Sequence, residues 1–439
     1  MKPRTLLLTS AAGLALVAGA AFLLADQLED TWYVPGDHPA IQYTGGGPSN
    51  DPVAKLDRDL ESGKVKLDYA ENGFGYLPAI LKLLNVPIDS QLLVFSKGSI
   101  QAEHIWPIQP RAIYFNDQVS VGYVQGADVL EFSSVDPKLG PVMYVLNASR
   151  LRKPGFGRSD EQCLRCHQGP ITMGVPGMVI SSVRPRTGDQ PDPHGHSYIT
   201  DHTTPFVDRW GGWYVTGTHG SMVHQGNNPE LLDPIRSGRA RKEGTQNVTN
   251  VGDFFNAAKY LAPTSDIVAL MTMEHQVRMI NLITRVAWDT RIADKDGELR
   301  DSKTPEEVTK ELNWEVDELV KYMLFAEEAP LKDPVKGVST FTKTFAERGP
   351  RDKQGRSLRD FDLKTRLFKY PLSYLIYSAQ FDALPERAKR RIYGRLHDVL
   401  TEQNLSTEDQ KLYARLSTED RKAVLEIVRE TKQGLPENW

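Results

Sequence analysis

The spacing of apolar positions changes character along this chain, and each change marks a different kind of structure. Between Phe74 and Val86, Leu and Ile recur at helical spacing and Pro87 ends the run, so a helix is expected there. From Gln91 to Leu146 the pattern shortens into runs of β-branched and aromatic residues. Residues 112–115 and 119–124 flank Asn116-Asp117, which reads as a hairpin, and residues 129–132 and 142–146 supply further strands. Residues 150–250 keep no period and are rich in Gly, Pro and His. Such a stretch is poor material for its own core, and is ordered by something it wraps or carries function on a scaffold.

From Asp253 onward the period is helical. Ser265-Asp266 is placed to cap a long helix reaching about Ala293, residues 314–328 make another, and residues 370–378 are strongly apolar. Pro385 suits the first turn of a helix running to Leu400. Leu405-Ser406-Thr407-Glu408-Asp409 recurs as Leu416-Ser417-Thr418-Glu419-Asp420, a repeated helix-start signal whose chemistry is capping. The expected fold class is α+β: a small antiparallel sheet unit, a loop-rich middle and a mainly helical C-terminal part. The expected division is 1–30 as a targeting segment, 31–73 as a Gly/Pro-rich tether, 74–150 as helix plus sheet, 151–252 as the loop-rich segment and 253–439 as the helical region.

The start of the chain places the rest. Lys2 and Arg4 precede an uncharged run from Thr5 to Ala25, closed by Asp26, Glu29 and Asp30. A basic start followed by an apolar run is the mark of secretory export. As a helix that run rises about 31 Å, one hydrocarbon core, which favours an uncleaved N-terminal anchor over cleavage at Ala18-Gly19-Ala20. Either way, the bulk of the chain is expected on the periplasmic side, soluble or held at the inner membrane. Net charge changes the picture only by exclusion. At −4, with basic residues in short mixed runs such as 236–242 and 387–391, nothing favours nucleic acid as a partner.

There are only two cysteines, and both lie in Cys163-Leu164-Arg165-Cys166-His167. This C-x-x-C-H run is the signature of covalent haem attachment. Two thiols one helical turn apart can reach the two vinyl groups of one porphyrin edge, and the following His is carried beneath the ring to ligate iron. Three other readings compete: a redox dithiol, which needs an activated thiol in a βαβ context; a zinc site, which needs further ligands; and a plain disulfide, which leaves His167 without a role. The export segment agrees with haem c, because that group is attached outside the cytoplasm.

The run resembles that of c-type cytochromes, although the chain is much longer than the small electron carriers among them. Gly174-Val175-Pro176-Gly177, Thr200-Asp201-His202-Thr203-Thr204-Pro205, Arg209-Trp210-Gly211-Gly212-Trp213-Tyr214-Val215-Thr216-Gly217-Thr218-His219-Gly220 and residues 366–378 are similar to stretches of large single-haem proteins of environmental bacteria. That likeness covers most of residues 90–400. It implies a grouping, not a reaction.

What fills the sixth position of a haem iron separates a carrier from a catalyst. Six of the ten histidines lie from His167 to His224. His202, His219, His224, His275 and Met222 are the alternative distal ligands, with Met173, Met178, His194 and His196 also in range; Asp192, His194 and His196 are a weaker candidate for a second metal. On the helix from Ser265, Glu274, Arg278, Asn281 and Arg285 recur on one narrow stripe. That stripe reads either as a solvent-facing edge with a Glu274–Arg278 pair or as a polar wall toward the haem propionates, for which Arg278 is well suited. The functional expectation is an exported single-haem c-type cytochrome acting in electron transfer, as a periplasmic oxidoreductase with a redox protein or small-molecule substrate. The alternative is a non-catalytic subunit docking to a membrane respiratory or photosynthetic complex.

Overall fold

The computed structural model describes residues 34–183, 197–228, 247–296 and 305–439, apart from positions 46, 48, 152 and 438. The targeting segment and residues Asp192, His194 and His196 lie outside the described residues.

Strands β1 (Leu92–Val94), β2 (Arg111–Phe115), β3 (Val119–Tyr123), β4 (Val129–Asp136), β5 (Gly140–Asn147), β6 (Phe156–Arg158) and β9 (Trp213–Tyr214) form one antiparallel sheet in the order β6-β5-β4-β3-β2-β1-β9. Strands β7 (Ser181–Val183) and β8 (Ser197–Ile199) make a separate pair. The expected hairpin is present. Asn116 Oδ1 accepts from the amides of Gln118 (2.9 Å) and Val119 (2.8 Å), which sets the turn and hence the β2–β3 register. Both edge strands come from the loop-rich middle: β6 pairs with β5, and Trp213 and Tyr214 pair with Val94 and Leu93. The sheet therefore anchors that segment at two points.

One face of the sheet presents Tyr114, Val121, Phe132, Val142, Tyr144 and Leu146, all buried. Residues expected as a tether cover its β4–β5 end. Helix α1 (Pro52–Glu61) is capped by Asp51, whose Oδ1 accepts from Val53 and Ala54 while Oδ2 accepts from the Tyr144 hydroxyl at 2.6 Å. Val34, Tyr43 and Val53 join the core. Residues 34–61 are thus part of the fold. Helix α2 (Leu77–Leu83) follows, shorter than the apolar spacing predicts.

Helix α3 (Asp160–His167) carries the cysteines. Helix α4 (Ile267–Asp296) is buried nearly all round and lies on the other sheet face, with Gln276, Val277 and Ile280 over Ser120, Ser133 and Pro141. Its start is fixed by Asp266, whose Oδ1 accepts from the amides of Val268 and Ala269. Against α4 pack α5 (Pro305–Met323), α6 (Phe341–Glu347), α7 (Ala379–Asp382) and α8 (Glu386–Thr401); α9 (Thr407–Leu412) and α10 (Thr418–Thr431) follow, α10 packing on α8. Ser406 and Ser417 cap α9 and α10 with reciprocal bonds to Asp409 and Asp420, as the repeated sequence predicts. Among the described residues no helix is long and apolar enough to cross a membrane.

Candidate functional site

Helix α3 leaves the edge strand β6 almost directly, and the Ser159 amide donates to the Met143 carbonyl of β5 (3.0 Å). Asp160 and Glu161 occupy the first turn, and Arg165 and His167 the last, the arrangement that complements the helix dipole. Cys163 and Cys166, three residues apart on this helix, share a face. Both are free thiols; Cys163 is half-buried and Cys166 exposed. Burial pushes the Cys163 thiol up, with Glu131 and Asp160 adding to it. A thiol held protonated is the opposite of what a redox dithiol needs. Among the described residues no three His, Cys, Asp or Glu side chains converge as metal ligands, so nothing here completes a zinc set.

His167 is oriented by backbone. Its Nδ1 lies 2.8 Å from the Gly177 carbonyl, and the Gly177 amide donates back to the His167 carbonyl at 2.8 Å. A carbonyl only accepts, so Nδ1 carries the proton and Nε2 keeps its lone pair. Burial, the largest influence, lowers the pKa of the ring and favours this neutral form. The 177–178 turn is itself gripped by α4: Asn281 Nδ2 donates to the Met178 carbonyl (2.7 Å), and the Met178 amide donates to Asn281 Oδ1 (3.3 Å). A Cβ on Gly177 would sit 2.5 Å from Asn281 Oδ1, so glycine is what lets the turn come this close. Upstream, Arg285 Nη1 donates to the Met173 carbonyl at 2.9 Å.

The sheet beside α3 supplies one ion pair. Arg111 and Glu131 meet at 2.5 Å across β3, both largely buried, over Gly122, where a Cβ would stand 2.5 Å from the guanidinium. Their charges act on both Cys163 and His167. Two unpaired thiols on one helix face, followed by an imidazole with Nε2 unencumbered, are a donor set that fits a covalently held haem. Cys163 and Cys166 would hold the porphyrin and His167 the iron.

The candidate distal ligands fall into two buried groups. His202 and His275 stack on each other and on Tyr322, with Nδ1 to Nδ1 at 2.9 Å. His275 Nε2 meets the Ser373 hydroxyl at 2.8 Å. The pair is fully buried, and burial pushes both rings well below the ordinary imidazole value. His219 and His224 form a second buried group with Phe206 and Trp210. Met222 is buried and its Sδ accepts from the Lys332 amide at 3.3 Å. His167 makes no ring contact with any of these histidines among the described residues.

The polar stripe on α4 resolves differently from both expectations. It is not a solvent-facing edge: Glu274, Asn281 and Arg285 are buried. Glu274 pairs with Arg209 at 3.2 Å rather than with Arg278, and Arg285 pairs with Asp289 and Glu315, so neither is free to face a propionate. The distant Arg209 wins because it comes from a loop packed over the helix, something a spacing rule does not see. Burial raises the Glu274 carboxyl from 4.5 to about 7, against the opposing pull of Arg209. Arg278 alone is half-exposed and has no ion-pair partner among the described residues. It lines a recess with Met178 and Asn281, next to the turn that holds His167. Sequence reasoning missed the Gly177 carbonyl as partner of Nδ1 and Arg209 as partner of Glu274. The small-residue run 174–177 was a usable signal for the first.

The chain matches no protein-family model, no curated protein and no solved structure.

Proposed function

We propose that the chain is an exported c-type cytochrome with one covalent haem, acting in electron transfer as a periplasmic oxidoreductase. The observation that carries this reading is the state of His167: its Nδ1 proton is committed to the Gly177 carbonyl, leaving Nε2 as a ready ligand on the helix that bears two free thiols. Metal-ligating histidines are held in just this way, with the second nitrogen bonded to a carbonyl or carboxylate. Bound there, haem supplies a one-electron couple at iron. The chain's own residues then do three things. Cys163 and Cys166 fix the porphyrin edge, Gly177 fixes the imidazole plane and tautomer, and Asn281 ties that turn to the rigid α4. Arg278, with no ion-pair partner among the described residues, lies one turn before Asn281 on α4. The N-terminal run of residues 5–25 supports export and an inner-membrane anchor.

The test is production in a host that matures c-type haem, followed by an alkaline pyridine spectrum and a redox titration. One haem per chain with a single reversible couple is the expected result. Protein that matures without bound haem while a control cytochrome is loaded in the same cells would overturn it. Cyanide binding to the ferric form separates catalyst from carrier: a closed six-coordinate iron would favour the docking subunit.

A further inference from the structure

Ile113, Gly122, Glu131, Val145 and Gly157 are registered opposite one another in a single row across β2 to β6. Paired residues share a face of the sheet, and Arg111, two positions before Ile113, shares it too. This is the face under α4, which also carries Ser120 and Ser133. His167 belongs to the same side, because the turn that bonds its ring is held by Asn281 of α4. The row ends at β6, from which the chain passes into α3, and α3 packs against β5, the neighbour of the strand that bears Glu131.

The Arg111–Glu131 pair is held in place from both ends. Glu131 Oε1 accepts from the Ser99 hydroxyl at 2.7 Å, Arg111 Nη1 donates to the Gly98 carbonyl at 3.2 Å, and each side chain is 14% exposed. Stability does not account for it. A buried ion pair adds little over an apolar pair of the same size, and a glycine inside β3, needed for the guanidinium to cross that strand, weakens it. What the arrangement does provide is two opposite charges in fixed positions, felt unequally at the site. At His167, after burial and the Gly177 bond, Arg111 outweighs Glu131. At Cys163, after burial and the Ser159 bond, Glu131 outweighs Asp160 and Arg111. The pair is thus oriented, its positive end toward the imidazole and its negative end toward the first thiol.

We propose that the Arg111–Glu131 pair sets the reduction potential of the haem, the guanidinium favouring the reduced iron at His167 and the carboxylate opposing it. The inference rests on the haem reading of Cys163, Cys166 and His167. Reduction takes one electron from the redox partner and lowers the charge at iron by one, so a fixed positive neighbour favours it and a fixed negative one resists it. In a protein interior such charges act over several ångströms without contact. Both residues are therefore positioning charges for the electron-transfer step.

The test is a potentiometric titration of the full-length, haem-loaded protein with soluble redox mediators. Arg111→Gln should lower the midpoint and Glu131→Gln should raise it. Each should change the ferric-to-ferrous ratio at a fixed potential by about three- to ten-fold, roughly 30–60 mV. The double variant should fall between the two, and Arg111→Lys, which keeps the charge, should stay close to wild type. Circular dichroism and the haem absorption spectrum check that each variant is folded with its iron ligation unchanged. Glu131→Gln keeps the side-chain volume, so it reads the effect even where Arg111→Gln loads poorly. Midpoints that stay at the wild-type value overturn the proposal, and so do shifts of the same sign in both single variants, which a merely loosened site would give. A wild-type chain that matures without haem overturns the haem reading and this inference with it, whereas loaded variants with unmoved midpoints overturn this inference alone.

Discussion

Two groups of histidine in this molecule look alike in sequence and differ in physical state. His167 closes a short helix at the edge of the sheet, with one ring nitrogen tied to a backbone carbonyl and the other unused. His202 and His275 are stacked with Tyr322 and Phe325 in the helical half; their Nδ1 atoms meet and His275 Nε2 meets Ser373, while His202 Nε2 is buried without a hydrogen-bond partner. The difference teaches that the number of histidines in a segment says little about iron. One nitrogen held and the other left over is not enough, since His202 Nε2 is also left over; what sets His167 apart is the pair of free thiols on its own helix. The buried pair has the character of a core polar network, expensive to disturb.

The largest effect expected on the buried side comes from Arg209. Its guanidinium holds Glu274 and donates to the carbonyls of His202 (2.9 Å) and Thr204 (2.8 Å). Arg209→Ala leaves a buried carboxylate uncompensated and should destabilise by about 3–5 kcal/mol, read by denaturant unfolding. A loss below about 1 kcal/mol would mean that the pair is not buried as described. Next is His275→Leu, which strands His202 Nδ1 and the Ser373 hydroxyl at a cost of about 2–4 kcal/mol. Its haem absorption spectrum should match wild type. A changed spectrum in the folded variant would break the comparison by making His275 an iron ligand.

On the other side, Gly177→Ala places a methyl 2.5 Å from Asn281 Oδ1 and should cost about 1–3 kcal/mol. Because the strain falls on the turn that holds His167, the midpoint potential should move as well. An unchanged potential in the folded, haem-loaded variant would detach Asn281 and Gly177 from the proposed haem ligand. The smallest effect is one of pH. The Glu274 and Glu328 carboxyls are raised from 4.5 to about 7 by burial, so between those values the folded state binds more protons than the unfolded one. Stability therefore falls as pH rises from about 4.5 to about 7. The two depressed histidines act the other way: below 6.5 the unfolded chain binds more protons, and stability falls on acidification. Glu274→Gln should flatten the first slope and leave the second, seen as unfolding midpoints across that range.

What could be read from sequence was local chemistry. The hairpin at Asn116, the start of α4 at Asp266, the capping serines 406 and 417 and the C-x-x-C-H helix each depend on residues within a few positions of one another. Long-range partnerships were not legible. Trp213 and Tyr214 become a strand only because β1, more than a hundred positions earlier, offers an open edge. Residues 34–61 read as a tether because they are rich in Gly, Pro and Asp, although Asp51 before Pro52 is an N-cap followed by a first-turn proline, a local signal for the helix found there. In the candidate site, the thiols and His167 were legible, but not the carbonyl that sets its tautomer, since a backbone group leaves no mark in composition.

The most direct test of the account is the mass of the peptide spanning residues 160–167, taken from protein matured in its native compartment. One added haem on that peptide, lost in a Cys163→Ser/Cys166→Ser variant whose circular dichroism is otherwise retained, is the predicted result. An unmodified peptide, or one carrying only an internal disulfide, contradicts the claim that His167 is an iron ligand waiting beside two thioether positions.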